Sequence, residues 1–186
     1  MTLPVTPSQT VGPFVHLGFD PMTRADAAAG AAGPVVTLSG RVLDGQGQPI
    51  PDAVLEVWQA NAAGRYDHPD DRRNVPLDPA FRGFLRVPTD AGGRYRLRTI
   101  RPGPVPGPGG RMQAPHLLVC LFMRGLLRHL YTRVYFAGDP ANDGCPILAL
   151  VPAGRRSTMV ALPDGEGAYR WDIVMQGPSE TVFLNL

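Results

Sequence analysis

Few side chains in these 186 residues are suited to chemistry: four histidines, five tyrosines and two cysteines. His116 has the most suggestive setting. It follows the stretch from Arg101 to Pro115, which holds five prolines and four glycines. Proline fixes φ and glycine frees it, so this loop has a defined path but no ladder of its own. A loop-to-strand junction on a rigid scaffold is where sheet proteins place reactive groups. An imidazole there invites a metal role, with Tyr66, Tyr95, Tyr131 and Tyr135 as conceivable phenolate partners. Tyr131 and Tyr135 share a strand face, although aromatics on strands usually pack. His16, His68 and His129 are scattered and form no ligand cluster. Cys120 and Cys145 have no CxxC partner, which argues against zinc and leaves two free thiols or one disulfide. The simpler reading of His116 is a hydrogen-bonded strand residue.

The elements that must position these residues are strands. Val35–Asp44 is β-branched and runs into the turn DGQGQ. Ala53–Ala60 sets Val54, Glu56, Trp58 and Ala60 on one face and Leu55, Val57 and Gln59 on the other. A long irregular excursion, Arg65–Pro79, follows; loops of this length in compact domains are often functional or interfacial. Phe84–Val87 is a short strand, and Arg94–Ile100 alternates as a strand with one wet face. His116–Met123 and Tyr131–Phe136 form a hairpin across RGLLRH. Ile147–Val151, Met159–Leu162, Tyr169–Met175 and Thr181–Leu184 supply further strands. Turn-separated short strands, with no helix of three turns, predict an all-β fold: an antiparallel β-sandwich with long loops and an extended N-terminal arm. The arm and its loop are residues 1–34 and the sandwich domain is residues 35–186. The arm's Val11, Phe14, Val15, Leu17 and Phe19 imply that it docks, on a partner chain.

Composition bounds the partners. All 18 basic residues are arginines, the net charge is only +2, and no lysine occurs. The arginines are dispersed, without an aromatic stacking platform, so neither nucleic acid nor membrane is the expected partner. Arginine suits fixed contacts with carboxylates, so pairing at an interface or with an anionic small ligand fits better. No charged n-region precedes an apolar stretch at the start, so the expected location is cytoplasmic.

SGRVLDGQGQPIPDAVLEVWQANAAGRYDH, then LDPAFRG, TDAGGRYRLRTIRPGP and the Pro115–His116 pair, resemble the intradiol ring-cleavage dioxygenases in order and spacing. The N-terminal TPSQTVGPFVHLG is similar to the branch of that family built from two kinds of chain. In such enzymes the reactive chain holds a ferric ion with two tyrosines and two histidines. Mapped onto this sequence, the first tyrosine position is Arg73 and the second is Val105. The first histidine is His116, and the second is Leu118. The arginine that usually precedes the first histidine by three is Gln113. Three of four ligands are therefore absent, and a guanidinium at position 73 would repel a ferric ion.

The resemblance implies a chain that binds no cofactor itself, while Fe(III) sits in the partner chain of the heteromer. It further implies that Thr10, Gly12 and Pro13 line the partner's cleft, and that Arg124 is the cation near the carboxylate of a carboxylated catechol. Two other readings stay open: an independent enzyme with different ligands around His116, and a non-enzymatic β-sandwich binding module.

Overall fold

The structure is a computed structural model and describes residues 5–12 and 14–185. Pro13, one of the expected cleft residues, lies outside the described residues, and so does the side chain of His16. The strands in chain order are β1 Val35–Leu43, β2 Val54–Trp58, β3 Phe84–Pro88, β4 Arg94–Ile100, β5 Val105–Pro106 and β6 Met112–Gln113. They continue as β7 His116–Phe122, β8 Leu130–Phe136, β9 Val160–Pro163, β10 Ala168–Arg170 and β11 Ile173–Val174. The helices are short: α1 Phe14–Phe19 and α2 Ala141–Gly144.

The fold is sheet-rich, as expected, with β7 at its centre between β2 and β8. One face of β7 is Leu117, Val119 and Leu121, all essentially inaccessible. They pack with Leu55, Val57 and Val134 of the neighbouring strands and with Leu38, Val42 and Leu97 of β1 and β4 in one core. This burial is the main driving force for the fold, at about 25 cal/mol for each Å² of apolar surface removed from water. The other face of β7 carries His116, Leu118, Cys120 and Phe122, mostly half-buried. β4 alternates exposed and buried from Arg94 on, as its sequence predicts.

The wholly antiparallel expectation needs correction. β1 runs parallel to both β10 and β11, and β8 runs parallel to β9. Residues 137–159 between β8 and β9 hold α2 and two 3-10 turns. That is a connection long enough to cross over and return in the same direction, which a tight hairpin cannot do. Three expected strands also differ. Leu148–Leu150 is a 3-10 turn, because Ala149, Leu150 and Val151 donate to carbonyls three or four residues back. Thr181–Leu184 makes only a bridge from Leu184 to Tyr131. Tyr169–Met175 breaks at Trp171 and Asp172. Its Trp171 carbonyl lies over Gly40, so close that a Cβ there would sit 1.7 Å from the oxygen.

The N-terminal region is also less extended than expected. Residues 14–19 are helical, entered by the Val15 N–H donating to the Gly12 carbonyl at 3.0 Å. Backbone groups lacking a strand alongside are satisfied locally in this way. Further on, Arg24 exchanges both backbone hydrogen bonds with Arg86, and Ala27 and Ala28 are buried in the core. Residues 24–28 are thus packed on β3 and β4 of their own chain.

Candidate functional site

The excursion after β2 is organised by Asn61. Its Oδ1 accepts the backbone N–H groups of Ala63 and Arg65, and its Nδ2 donates to the Pro76 carbonyl at 2.9 Å. One buried amide thus ties both ends of the loop together. Gly64 follows with φ +81°, and a Cβ there would lie 2.2 Å from the Pro104 carbonyl. The glycine therefore lets the excursion press against the proline-rich loop. Between the two lies an open cleft of about 1040 Å³, walled by Trp58, Tyr66, Phe84 and Val105, with Arg72 and Arg73 at its side. The Trp58 and Tyr66 rings stack nearly parallel, with centroids 6.0 Å apart.

Of the four positions that the resemblance marks for iron, two are in the cleft wall and two are on β7. Arg73 and Val105 line the cleft. His116 and Leu118 share one face of β7, the face on which Trp58 of β2 stands opposite Leu118. Val105 is paired with Gln113 through β5 and β6. What has changed is the chemistry. Arg73 is locked onto Asp71, from Nε to Oδ1 at 2.8 Å and from Nη2 to Oδ2 at 2.6 Å, and Nη2 also donates to the Gly64 carbonyl. The Arg73 guanidinium, helped by the Tyr66 N–H, holds the Asp71 carboxyl well below the usual carboxylate range.

His116 is buried, and its Nδ1 lies 2.7 Å from the Ala114 carbonyl, so that nitrogen carries the proton. Burial, with the Arg133 cation nearby, pushes the imidazole down to about 4, so it is neutral at pH 7. Tyr135 lies against it with ring centroids 5.6 Å apart. Burial raises the Tyr135 phenol far above its ordinary value, so it is a neutral phenol at pH 7. Among the described residues no three His, Cys, Asp or Glu side chains are grouped to hold a metal ion. A guanidinium, two alkyl side chains and one imidazole at the four mapped positions do not fit a ferric ion.

Thr10, Gly12 and Arg124 lie elsewhere. Thr10 Oγ1 accepts the Gly125 N–H at 2.8 Å, which sets the N-terminal segment against the β7–β8 turn beside Arg124. Arg124 is mostly exposed and its Nε donates to Asp52. Gly12 is exposed. These residues stand beyond the Phe122 end of β7 and His116 stands at the other, roughly 20 Å away at 3.3 Å per residue. The structure therefore forms two clusters, not one site.

Sequence reasoning missed Asn61, Asp71 and Arg133. Asn61 reads as an ordinary turn residue, and only its buried contacts distinguish it. Arg133 is one polar residue in the alternation YTRVYF, on the same side of the sheet as Leu118. Cys120 and Cys145 form no disulfide.

A family profile described as Dioxygenase matches residues 17–177. The chain is 43% identical over 202 aligned residues to the protocatechuate 3,4-dioxygenase alpha chain of Burkholderia cepacia, spanning 100% of this chain and 99% of that one. It is 37% identical over 187 residues to the protocatechuate 3,4-dioxygenase beta chain of Burkholderia cepacia, spanning 96% and 78%. Among solved structures, the dioxygenase domain of a dioxygenase and carbohydrate-binding protein fusion from Streptomyces sp. SirexAA-E matches with a TM-score of 0.62 at 27% identity, over 95% of this chain and 99% of that one.

Proposed function

Because this chain belongs to the intradiol ring-cleavage dioxygenase family, we propose that it serves as the metal-free alpha chain of a protocatechuate 3,4-dioxygenase. The observation that carries this reading is the full-length identity to an alpha chain, higher than that to a beta chain. The donor set around Arg73 and His116 supports it, since it offers a ferric ion one usable imidazole at most. The partner would be a beta-type chain that holds Fe(III). The reaction is cleavage of protocatechuate between its two hydroxyl-bearing carbons, with both atoms of O2 ending in 3-carboxy-cis,cis-muconate.

On this reading the chain's contribution is positional. Thr10, Gly12 and Pro13 line the partner's cleft, and Arg124 faces the substrate carboxylate. Asp52 engages only the Nε of Arg124, which leaves both Nη groups for a carboxylate fork. Phe14 and Leu17 of α1, 78% and 69% exposed, give the segment before Arg24 an apolar surface to bury on another chain. The free thiols, with Cys145 fully buried, suit a reducing, cytoplasmic compartment. The core, drawn from β1 and β4 on one side and β2, β7 and β8 on the other, supports a two-layered sandwich.

The test is expression of the chain alone and together with a beta chain. Alone, it should contain no stoichiometric iron and show no phenolate-to-iron colour. Together, the two should co-purify as an active, coloured heteromer. A coloured, active single-chain product ends the proposal.

A further inference from the structure

We propose that the outer face of β1, β4 and β10 carries a binding site for a tetrahedral dianion of the phosphate class, held between Arg96 and Arg170 over Ser39. The inference does not rest on the subunit reading, and the site shares no lining residue with the Trp58–Tyr66 cleft.

Strand register brings these residues together. Ser39 of β1 stands opposite Arg96 of β4 on one side and Arg170 of β10 on the other. Two residues along the same face, Arg41 stands opposite Arg94. All four arginines, with Ser39, line a concavity of about 400 Å³. The Arg41 N–H donates to Asp172 Oδ1 and the Ser39 carbonyl accepts the Trp171 N–H, so both backbone groups point away from β4. Ser39–Arg96 and Arg41–Arg94 are therefore non-hydrogen-bonded pairs, the kind in which opposed side chains stand closest. Like charges directly opposite each other destabilise a sheet.

The nearby carboxylates do not balance this charge. Among the described residues none lies within ion-pair distance of Arg41, Arg94 or Arg96, and Arg170 has only Asp172 Oδ2, at 3.7 Å. Asp90 lines the concavity, but its Oδ1 accepts the N–H groups of Gly92 and Arg94. Asp164, the other lining carboxylate, is exposed and pairs with none of the four arginines. An anion between the guanidinium groups relieves their repulsion. A guanidinium fork takes two oxygens at once, so a carboxylate fills one fork, whereas a phosphate has oxygens for two. Arg96 and Arg170 are two strand spacings apart, about 10 Å between Cα atoms, a gap that two long side chains and one bridging ion span. The small Ser39 side chain leaves that gap open. Its hydroxyl is held only by a 3.5 Å contact to the Tyr169 carbonyl and is free to donate to a further oxygen.

The probe is inorganic phosphate, measured by equilibrium dialysis against the purified full-length chain at about pH 8, where it is doubly charged. Acetate at equal ionic strength is the planar, singly charged comparison. The expected result is one saturable phosphate site per chain with a Kd of about 1 mM or below, and acetate at least ~10-fold weaker. Arg96→Gln and Arg170→Gln should each weaken phosphate binding about 10-fold, the loss of one charged fork. Arg111→Gln, which alters an exposed arginine outside the concavity, should leave it unchanged. Phenyl phosphate bound as tightly as phosphate would assign the site to phosphate monoesters, and its exclusion would assign the site to the free ion; both results keep the dianion site. If either Gln variant fails to fold, the phosphate-to-acetate ratio of the unaltered chain decides. No saturable phosphate binding, equal binding of acetate, or two Gln variants that bind phosphate as before would overturn the proposal. Neither iron content nor pairing with a beta chain enters this measurement, so its failure is distinct from failure of the subunit reading.

Discussion

Arg73 and Asp71 form a two-pronged ion pair, Nε to Oδ1 at 2.8 Å and Nη2 to Oδ2 at 2.6 Å, at the edge of the cleft. The pair also pins Gly64, through the Gly64 carbonyl, and Tyr66, through the Asp71 carboxylate and the Tyr66 N–H. Where the family resemblance expects a metal to gather this loop, the chain closes it with an internal salt bridge. This pair and the Asn61 amide give the loop a definite shape beside the cleft.

Arg73→Ala should therefore destabilise the chain by about 1–2 kcal/mol, a value reduced from that of a fully buried charged hydrogen bond because Arg73 is partly exposed. The pH dependence follows from Asp71. Its carboxyl is depressed below 3.8, so its contribution is fully present above about pH 4 and fades as acidification approaches the lower folded value. Urea midpoints at pH 7 and pH 3 should show the substitution costing more at pH 7. Equal losses at both would contradict this account.

His116 should titrate in the same direction, in a higher pH window. Its folded value of about 4 lies below the ordinary 6.5, so the unfolded chain takes up the proton first. Stability should be full above pH 6.5 and decline as pH falls toward 4. His116→Asn, whose amide can still donate to the Ala114 carbonyl, should fold and lose this slope. Denaturation at pH 7.0, 5.5 and 4.5 checks it, and an unchanged slope would place the titration elsewhere.

Arg124→Ala tests the second cluster in the assembled heteromer. The KM for protocatechuate should rise about 10-fold, the effect of losing one charged fork, with a smaller change in kcat. Asp52→Asn should leave KM within about threefold, because it relieves Arg124 without removing it. A KM indifferent to Arg124→Ala would exclude this residue from the cleft.

Gly40→Ala tests the crossing of β1 by Trp171. A Cβ 1.7 Å from the Trp171 carbonyl must displace backbone, so the substitution should cost about 3 kcal/mol or more and lower Tm by many degrees. Calorimetry would show it, and a Tm within 2 °C (an order-of-magnitude bound for no real displacement) would mean that the crossing yields easily.

Asn61→Ala should leave the core intact and loosen the excursion. It removes three hydrogen bonds from a side chain that is nearly inaccessible, about 2–3 kcal/mol by ordinary magnitudes. Limited proteolysis should then cut within residues 65–79 faster than in the unaltered chain.

The local pattern alone determined most of the strands. Val35–Leu43, Arg94–Ile100 and His116–Phe122 alternate as their side chains require, because one face must enter the core and a shift of one residue would reverse it. The residue types at positions 73, 105 and 118 were legible without the fold, since a side chain's chemistry does not depend on it. Tertiary structure alone decided the parallel pairings of β1 and β8 and the break at Trp171 over Gly40. Each depends on which backbone lies alongside, and that partner is more than a hundred residues away in the case of β1 and β10. It also decided that Thr10 meets the turn beside Arg124, and that Arg133 stands opposite Leu118 with no carboxylate at ion-pair distance among the described residues. Such pairings exist only after distant strands have found their register.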